Sequence, residues 1–197
     1  MAERGRPRRF DRAQVLDYAL SAFWRNGYEA TSMSDLVEMM GINSPSIYAA
    51  YGSKEDLFCE AMQRYRTHYA ASLLDALNNA PNAATGLAAM FDAAIELFTR
   101  PGQPRGCFIV MAAGGNAPAT VAIQEELSRL RRERSDEIAA RIERDDTENL
   151  IRSGVAIRPL ADMYAAILQG ISIAARDGMS KQRLSDLYRP SLTLLAR

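Results

Sequence analysis

Apolar residues recur at three- and four-residue spacing along the whole chain, and no period-two alternation is long enough to make a strand, so the pattern predicts an all-α fold. A first helix opens after Asp11, with Val15, Leu16, Ala19, Leu20 and Phe23 on one face. The Asp11 carboxylate is placed to cap it, Gln14 to reach back, and Phe10 to pack on Val15. Asn26-Gly27 ends it, because glycine takes the left-handed C-terminal conformation without steric cost. Ser32-Met33-Ser34-Asp35 reads as a second capping box, opening a short helix through Met40 with Leu36, Val37 and Met40 inward and Gly41 closing it. Asn43 caps a third helix that tolerates Pro45 in its first turn, where backbone N–H groups have no internal partner, and that sets Ile47 and Tyr51 on its inner face. Gly52 breaks this helix, and Ser53-Lys54-Glu55-Asp56 opens a fourth that runs to about Asn79, ahead of Pro81.

Further helices follow over Ala83–Phe98, Cys107–Ala113, a long stretch from Ala119 to about Ser153, Leu160–Asp177 and Lys181–Ala196. The loops at 99–106 and 114–118 carry the glycines and prolines that interrupt helices. In the long helix, Ile123, Leu127, Leu130, Ile138 and Ile142 form an inner stripe. The mixed-sign run from Arg129 to Arg134 then predicts a solvated outer face rather than a second nucleic-acid contact.

Composition narrows the class. With 197 residues, 48% of them apolar, the chain can bury a core in one large domain or in a small and a medium one. No run approaches the roughly 20 apolar residues of a membrane span, and the arginine-rich N-terminus lacks the apolar stretch of a secretory signal, which predicts a cytoplasmic protein. Cys59 and Cys107 lie far apart and outside any CxxC spacing, so two reduced thiols are expected, with no disulfide framework, no metal and no cofactor. Net charge is zero, 24 basic residues against 24 acidic, yet Arg4, Arg6, Arg8 and Arg9 are opposed only by Glu3 near the N-terminus. Nucleic-acid binding needs only such a local basic footprint.

Two short helices joined at Gly41, the second with small polar side chains outward, have the geometry that inserts a recognition helix into a major groove. The residues that build it, Thr31-Ser32-Met33-Ser34-Asp35-Leu36 through Gly41-Ile42 and Ile47-Tyr48-Ala49-Ala50-Tyr51-Gly52-Ser53-Lys54-Glu55-Asp56-Leu57, resemble the DNA-binding signature of the TetR family. The resemblance covers about Phe10 to Phe58. It implies a homodimeric transcriptional repressor, a palindromic operator, and release by a small-molecule effector. Ser44, Pro45, Ser46 and Tyr48 face away from Ile47 and Tyr51; the serine hydroxyls can serve either base edge and Pro45 can press on a thymine methyl. Tyr48 and Lys54 match family positions that hold phosphate oxygens. Ser32 and Met33, at the start of the second helix, complete the candidate contacts there. Arg4-Gly5-Arg6-Pro7 resembles an AT-hook core, which lays arginines into a narrow minor groove; a basic tail without that role is the alternative.

Beyond Gly106-Cys107 the resemblance is looser, resting on Leu168 to Gly178, and it implies an effector cavity with a dimer bundle made by the last two helices. The expected division is a flexible basic arm (1–9), a helix-turn-helix domain (10–53) and a helical effector-binding and dimerisation domain (54–197). Tyr65, Tyr69, Phe91, Ile95, Phe98, Cys107, Met111 and Tyr164 are the candidate cavity residues, since aromatic and sulfur-bearing side chains line adaptable cavities, although a plain core looks the same. Tyr164, Ile167, Gly170, Ile171, Leu184, Leu187, Tyr188 and Leu195 are the candidate dimer contacts. Pro190 should kink or split the last helix. A structural DNA binder without an effector remains an alternative, as does, more remotely, an enzyme using Cys107 and His68, which lacks an acidic orienter and an oxyanion turn.

Overall fold

The structure, a computed structural model, describes residues 11–112, 121–145 and 154–195, all of them helix, turn or loop. Helix α1 (Arg12–Ala30) starts where the Asp11 carboxylate accepts the Ala13 and Gln14 N–H groups. Phe10, the other half of the expected staple, lies outside the described residues. Gly27, at φ 81° and ψ 172°, interrupts α1 where the sequence indicates, but one more helical turn follows, and it swings Tyr28 into the core. Thr31 closes that turn, its hydroxyl donating to the Gly27 carbonyl at 2.7 Å.

Helices α2 (Met33–Met40) and α3 (Ser44–Tyr51) follow, α2 with a reciprocal Ser32/Asp35 capping box and α3 with Asn43 accepting the Ser46 N–H. A second reciprocal box, Ser53/Asp56, opens α4 (Lys54–Tyr65). The helix continues as expected to Asn79, through a five-residue π-helical segment (Arg66–Ala70) into α5 (Ala71–Asn79). Such wide turns are rare inside helices and frequent at functional sites. Leu57, Phe58, Ala61 and Met62 of α4 are fully buried, and Phe58 meets Phe23 edge-on at 5.0 Å, so α4 completes the core of the N-terminal helices.

The remaining helices form the larger part. α5 turns back through Pro81 into α6 (Ala83–Phe98), capped by Asn82 and Thr85. A loop leads to the short α7 (Phe108–Met111), and α8 (Val121–Asp145), α9 (Ile157–Arg176) and α10 (Lys181–Tyr188) complete it. The buried Arg141 ties α8 to the end of α5 by donating to the Leu77 and Ala80 carbonyls at 3.0 and 2.9 Å, groups that a helix C-terminus leaves without partners. The last helix is split as Pro190 requires: α10 stops at Tyr188 and a 3-10 segment, Arg189–Leu194, replaces the single helix expected over Lys181–Ala196. Among the described residues no helix is long and apolar enough to cross a membrane.

Candidate DNA-binding face and ligand cavity

The two expected recognition elements, α2 and α3, pack against each other. Ile47 and Tyr51 anchor α3 from beneath, and the Tyr51 hydroxyl donates to the Arg12 carbonyl at 3.0 Å. This leaves Pro45 exposed, Ser44 and Ser46 half-buried, and the Tyr48 ring 49% exposed on the outer side. Ala49, exposed beside Tyr48, shares that face and was not among the expected contacts. Ser32 is exposed, but its hydroxyl is engaged with Asp35 at 2.7 Å, and Met33 is half-buried. Lys54 folds its ammonium over the Tyr28 ring, 4.3 Å from the centroid. Burial lowers its pKa against the pull of Glu29 and Asp35. Arg4, Arg6, Arg8 and Arg9 lie outside the described residues.

A cavity of about 70 Å³ opens in the larger part, between the π-helical segment, α7, α8 and α9. Of the candidate cavity residues, Tyr65, Phe98 and Cys107 line it. Tyr69, Phe91, Ile95, Met111 and Tyr164 do not. Phe91 stacks on Tyr188 at 4.6 Å and Tyr164 donates to the Ser191 carbonyl at 2.8 Å, so both belong to the packing of α6, α9 and α10; Ile95 is buried in the same core. Tyr69 stacks on Tyr65 and meets Trp24 edge-on, while Met111 sits at the end of α7, half-buried. In their place the wall includes Leu130, Arg131, Glu133, Arg134 and Glu137 of α8 and Leu168 of α9. The run expected to be a solvated face thus divides: Arg129 and Arg132 point outward and their neighbours line the cavity. Helix periodicity separates a wet face from a dry one, but it cannot tell bulk water from an internal hollow.

Cys107 stands on this wall with its thiol accepting from the fully buried Tyr65 hydroxyl at 3.4 Å; burial pushes the Tyr65 pKa well up. His68 is exposed and paired with the Thr67 hydroxyl, and no hydrogen bond joins it to Cys107 among the described residues. Gly106, just before the cysteine, has φ +84°, and an added Cβ there would lie 2.8 Å from the Ser172 carbonyl oxygen. Only glycine fits that close approach. Its own carbonyl accepts the Trp24 indole N–H at 3.0 Å, a buried bond joining the cavity loop to α1. Around it, Tyr65 meets Trp24 edge-on at 4.9 Å, and Phe108 contacts Tyr65 at 5.6 Å and Phe58 at 5.4 Å. Trp24 had no assigned role in the sequence, since a single aromatic residue on an apolar stripe carries no sign of a partner 82 positions away.

The candidate dimer contacts also divide. Tyr164, Ile171, Leu184 and Tyr188 are at most 2% exposed within the single chain, so they cannot form an outer face. The Tyr188 hydroxyl, for example, donates to Asp92 at 2.6 Å inside the subunit. Ile167 and Leu195 are half-buried, Gly170 is exposed and Leu187 is 48% exposed. Ile173, 50% exposed on α9 near Gly170, joins this outer set.

Residues 15–61 match the family model described as "Bacterial regulatory proteins, tetR family". The HTH-type transcriptional repressor ComR of Escherichia coli (strain K12) is 33% identical over 97% of this chain and 91% of its own length. The repressor BdcR of the same organism is 27% identical over 91% of this chain and 86% of its own. Among solved structures, a cysteine-substituted variant of the TetR family transcriptional regulator CifR, complexed with a 26 bp double-strand operator DNA, superimposes with a TM-score of 0.89. It is 36% identical, over 95% of this chain and 98% of that one.

Proposed function

The chain belongs to the TetR family of bacterial transcriptional regulators, and on that premise we propose that it is a homodimeric repressor which grips a palindromic operator and releases it when a small molecule fills the cavity. The helix from Lys54 to Asn79 carries this reading: it begins directly after the recognition helix, and Tyr65, Arg66, Ala70 and Leu73 along it line the cavity. A rigid helix with one end beside DNA and its middle beside a ligand couples the two.

The division proposed for the chain is an arm over 1–9, a DNA-binding part over 10–53 and an effector-binding and dimerisation part over 54–197, with α4 shared in packing between the last two. Pro45, Ser44 and Ser46 read base edges, Tyr48 and Lys54 hold phosphates, and Ser32, Met33 and the arm's Arg4, Arg6, Arg8 and Arg9 add backbone and minor-groove contacts. Gly170, Ile173 and Leu187 belong to the outer face where a second copy docks. Two-fold symmetry then sets two half-sites about one helical turn of DNA, or a multiple, apart.

Fluorescence anisotropy with duplexes tiling the region upstream of the gene tests this. One duplex should bind about a thousandfold or more tighter than its scrambled counterpart at physiological salt. Equal affinity for both would make the protein a structural DNA binder instead.

A further inference from the structure

Resting on the reading of the cavity as the effector site, we propose that its ligand is a small organic monoanion, an apolar body carrying one carboxylate, held by Arg131. Five charged side chains stand on the wall: Arg66, Arg131, Glu133, Arg134 and Glu137. Arg66 pairs with Glu133 at 3.2 Å and Arg134 with Glu137 at 3.0 Å. Arg131 is the remainder. Its Nη2 donates to the Ser128 hydroxyl at 2.9 Å, and its Nη1 is buried with no hydrogen-bond partner among the described residues.

Arg131 is half-buried, and a charge held partly out of water without a counter-charge usually relieves the cost by changing protonation state, which a guanidinium cannot do. Among the described residues the wall carboxylates Glu133 and Glu137 pair with Arg66 and Arg134 and none pairs with Arg131, whose pKa burial and the neighbouring Arg132 pull down against Cys107. The planar fork of donors suits a carboxylate. One negative charge is the number the wall accepts, because the other two guanidinium groups are already neutralised and a dianion would face Glu133 and Glu137. An apolar body suits the rest of the wall, where Leu73, Phe98, Ile109, Leu130 and Leu168 stand. Arg131, Ala165 and Gln169 line both the cavity and an open groove between α8 and α9, so the two hollows share these residues as a common wall.

Isothermal titration calorimetry on the full-length protein, with butyrate, hexanoate, octanoate and benzoate each set against its primary amide, tests the assignment. A charge-assisted bond in place of a neutral one predicts that the best carboxylate binds about ten- to a hundredfold tighter than its amide. R131Q should bring that ratio close to one while keeping the amide's affinity, and R131M should do the same if R131Q does not fold. R158Q, in the outer groove only, should leave the ratio intact. Equal binding of acid and amide to the unaltered protein overturns the anion assignment and leaves the effector reading standing. Binding of neither overturns both, and a preference that survives R131Q and R131M overturns the role of Arg131.

Discussion

Tyr48, half exposed on the outer side of α3, and Ser46, half-buried beside the Asn43 cap, are placed for two different kinds of DNA contact. A phosphate contact carries no sequence information, whereas a base-edge contact does. Tyr48→Ala and Lys54→Ala should therefore weaken binding to every duplex alike, and Lys54→Ala alone, by removing a charge, should also flatten the salt dependence by roughly one unit of log–log slope. Lys54→Ala also removes the ammonium from the Tyr28 ring, so its thermal unfolding has to be checked alongside. Ser46→Ala or Pro45→Ala should instead change preference at single base positions, by about 1–3 kcal/mol each. Selection from randomised half-sites reads the difference, and a Ser46→Ala protein that selects an unaltered sequence would remove Ser46 from the recognition face. Arg131 shows what a residue's type alone conceals: its neighbours Arg129 and Arg132 are exposed, and only the fold decides which of the three meets a cavity.

The capping boxes are the elements whose chemistry is most local. Asp35 and Asp56 each accept a serine hydroxyl and the backbone N–H of that serine, and these bonds hold both carboxyls below the usual Asp value. A folded-state pKa below the unfolded one gives stability that is fully present above the unfolded value and is lost as pH falls through the folded one. With an unfolded Asp near 3.9, the starts of α2 and α4 should loosen below about pH 4. Urea unfolding followed by circular dichroism at pH 7 and pH 3.5 should show a smaller acid loss for the double variant Asp35→Asn, Asp56→Asn than for the unaltered chain. Ser53→Ala should cost on the order of 1 kcal/mol at neutral pH. An identical acid loss in the double variant would place the sensitivity elsewhere, for instance at Glu126 or Asp162, whose carboxyls are also held low by hydrogen bonds from Arg129 and Ser135. The same locality explains what the sequence made legible. Helix starts at Asp11, Ser32, Asn43 and Ser53, the span Ala83–Phe98 and the break at Pro190 all depend on neighbours within a few positions. The π segment, the cavity wall and the outward face of α9 depend on partners far along the chain. An apolar stripe such as Leu160, Tyr164, Leu168 and Ile171 looks the same whether it meets its own chain or a second copy.

At the scale of the whole molecule, the cavity and the DNA-binding helices are joined by two routes, the continuous helix from Lys54 and the bond between the Trp24 indole and the Gly106 carbonyl. A ligand that fills the cavity presses on its wall, and the rings of Phe108, Tyr65 and Trp24 link that wall to α1. Such rings are close-packed and transmit a shift rather than absorbing it. Occupancy alone moves nothing: swinging a population from 1:99 to 99:1 needs about 5.5 kcal/mol of preference for the released state. Because coupling between sites is reciprocal, operator DNA should weaken effector binding by the same factor that effector weakens operator binding. Trp24→Phe keeps the ring but removes the N–H, leaving a buried carbonyl without its donor at a cost of about 1–3 kcal/mol in stability. If this bond is one of the two routes, the variant should bind operator and effector separately as before and show a smaller coupling factor, reduced equally in both directions. Calorimetric titration of effector into free protein and into the operator complex, for both proteins, measures all four affinities. An unchanged factor in Trp24→Phe would assign the whole of the coupling to the helix from Lys54, and equal effector affinity with and without operator would show that the cavity does not control DNA binding at all.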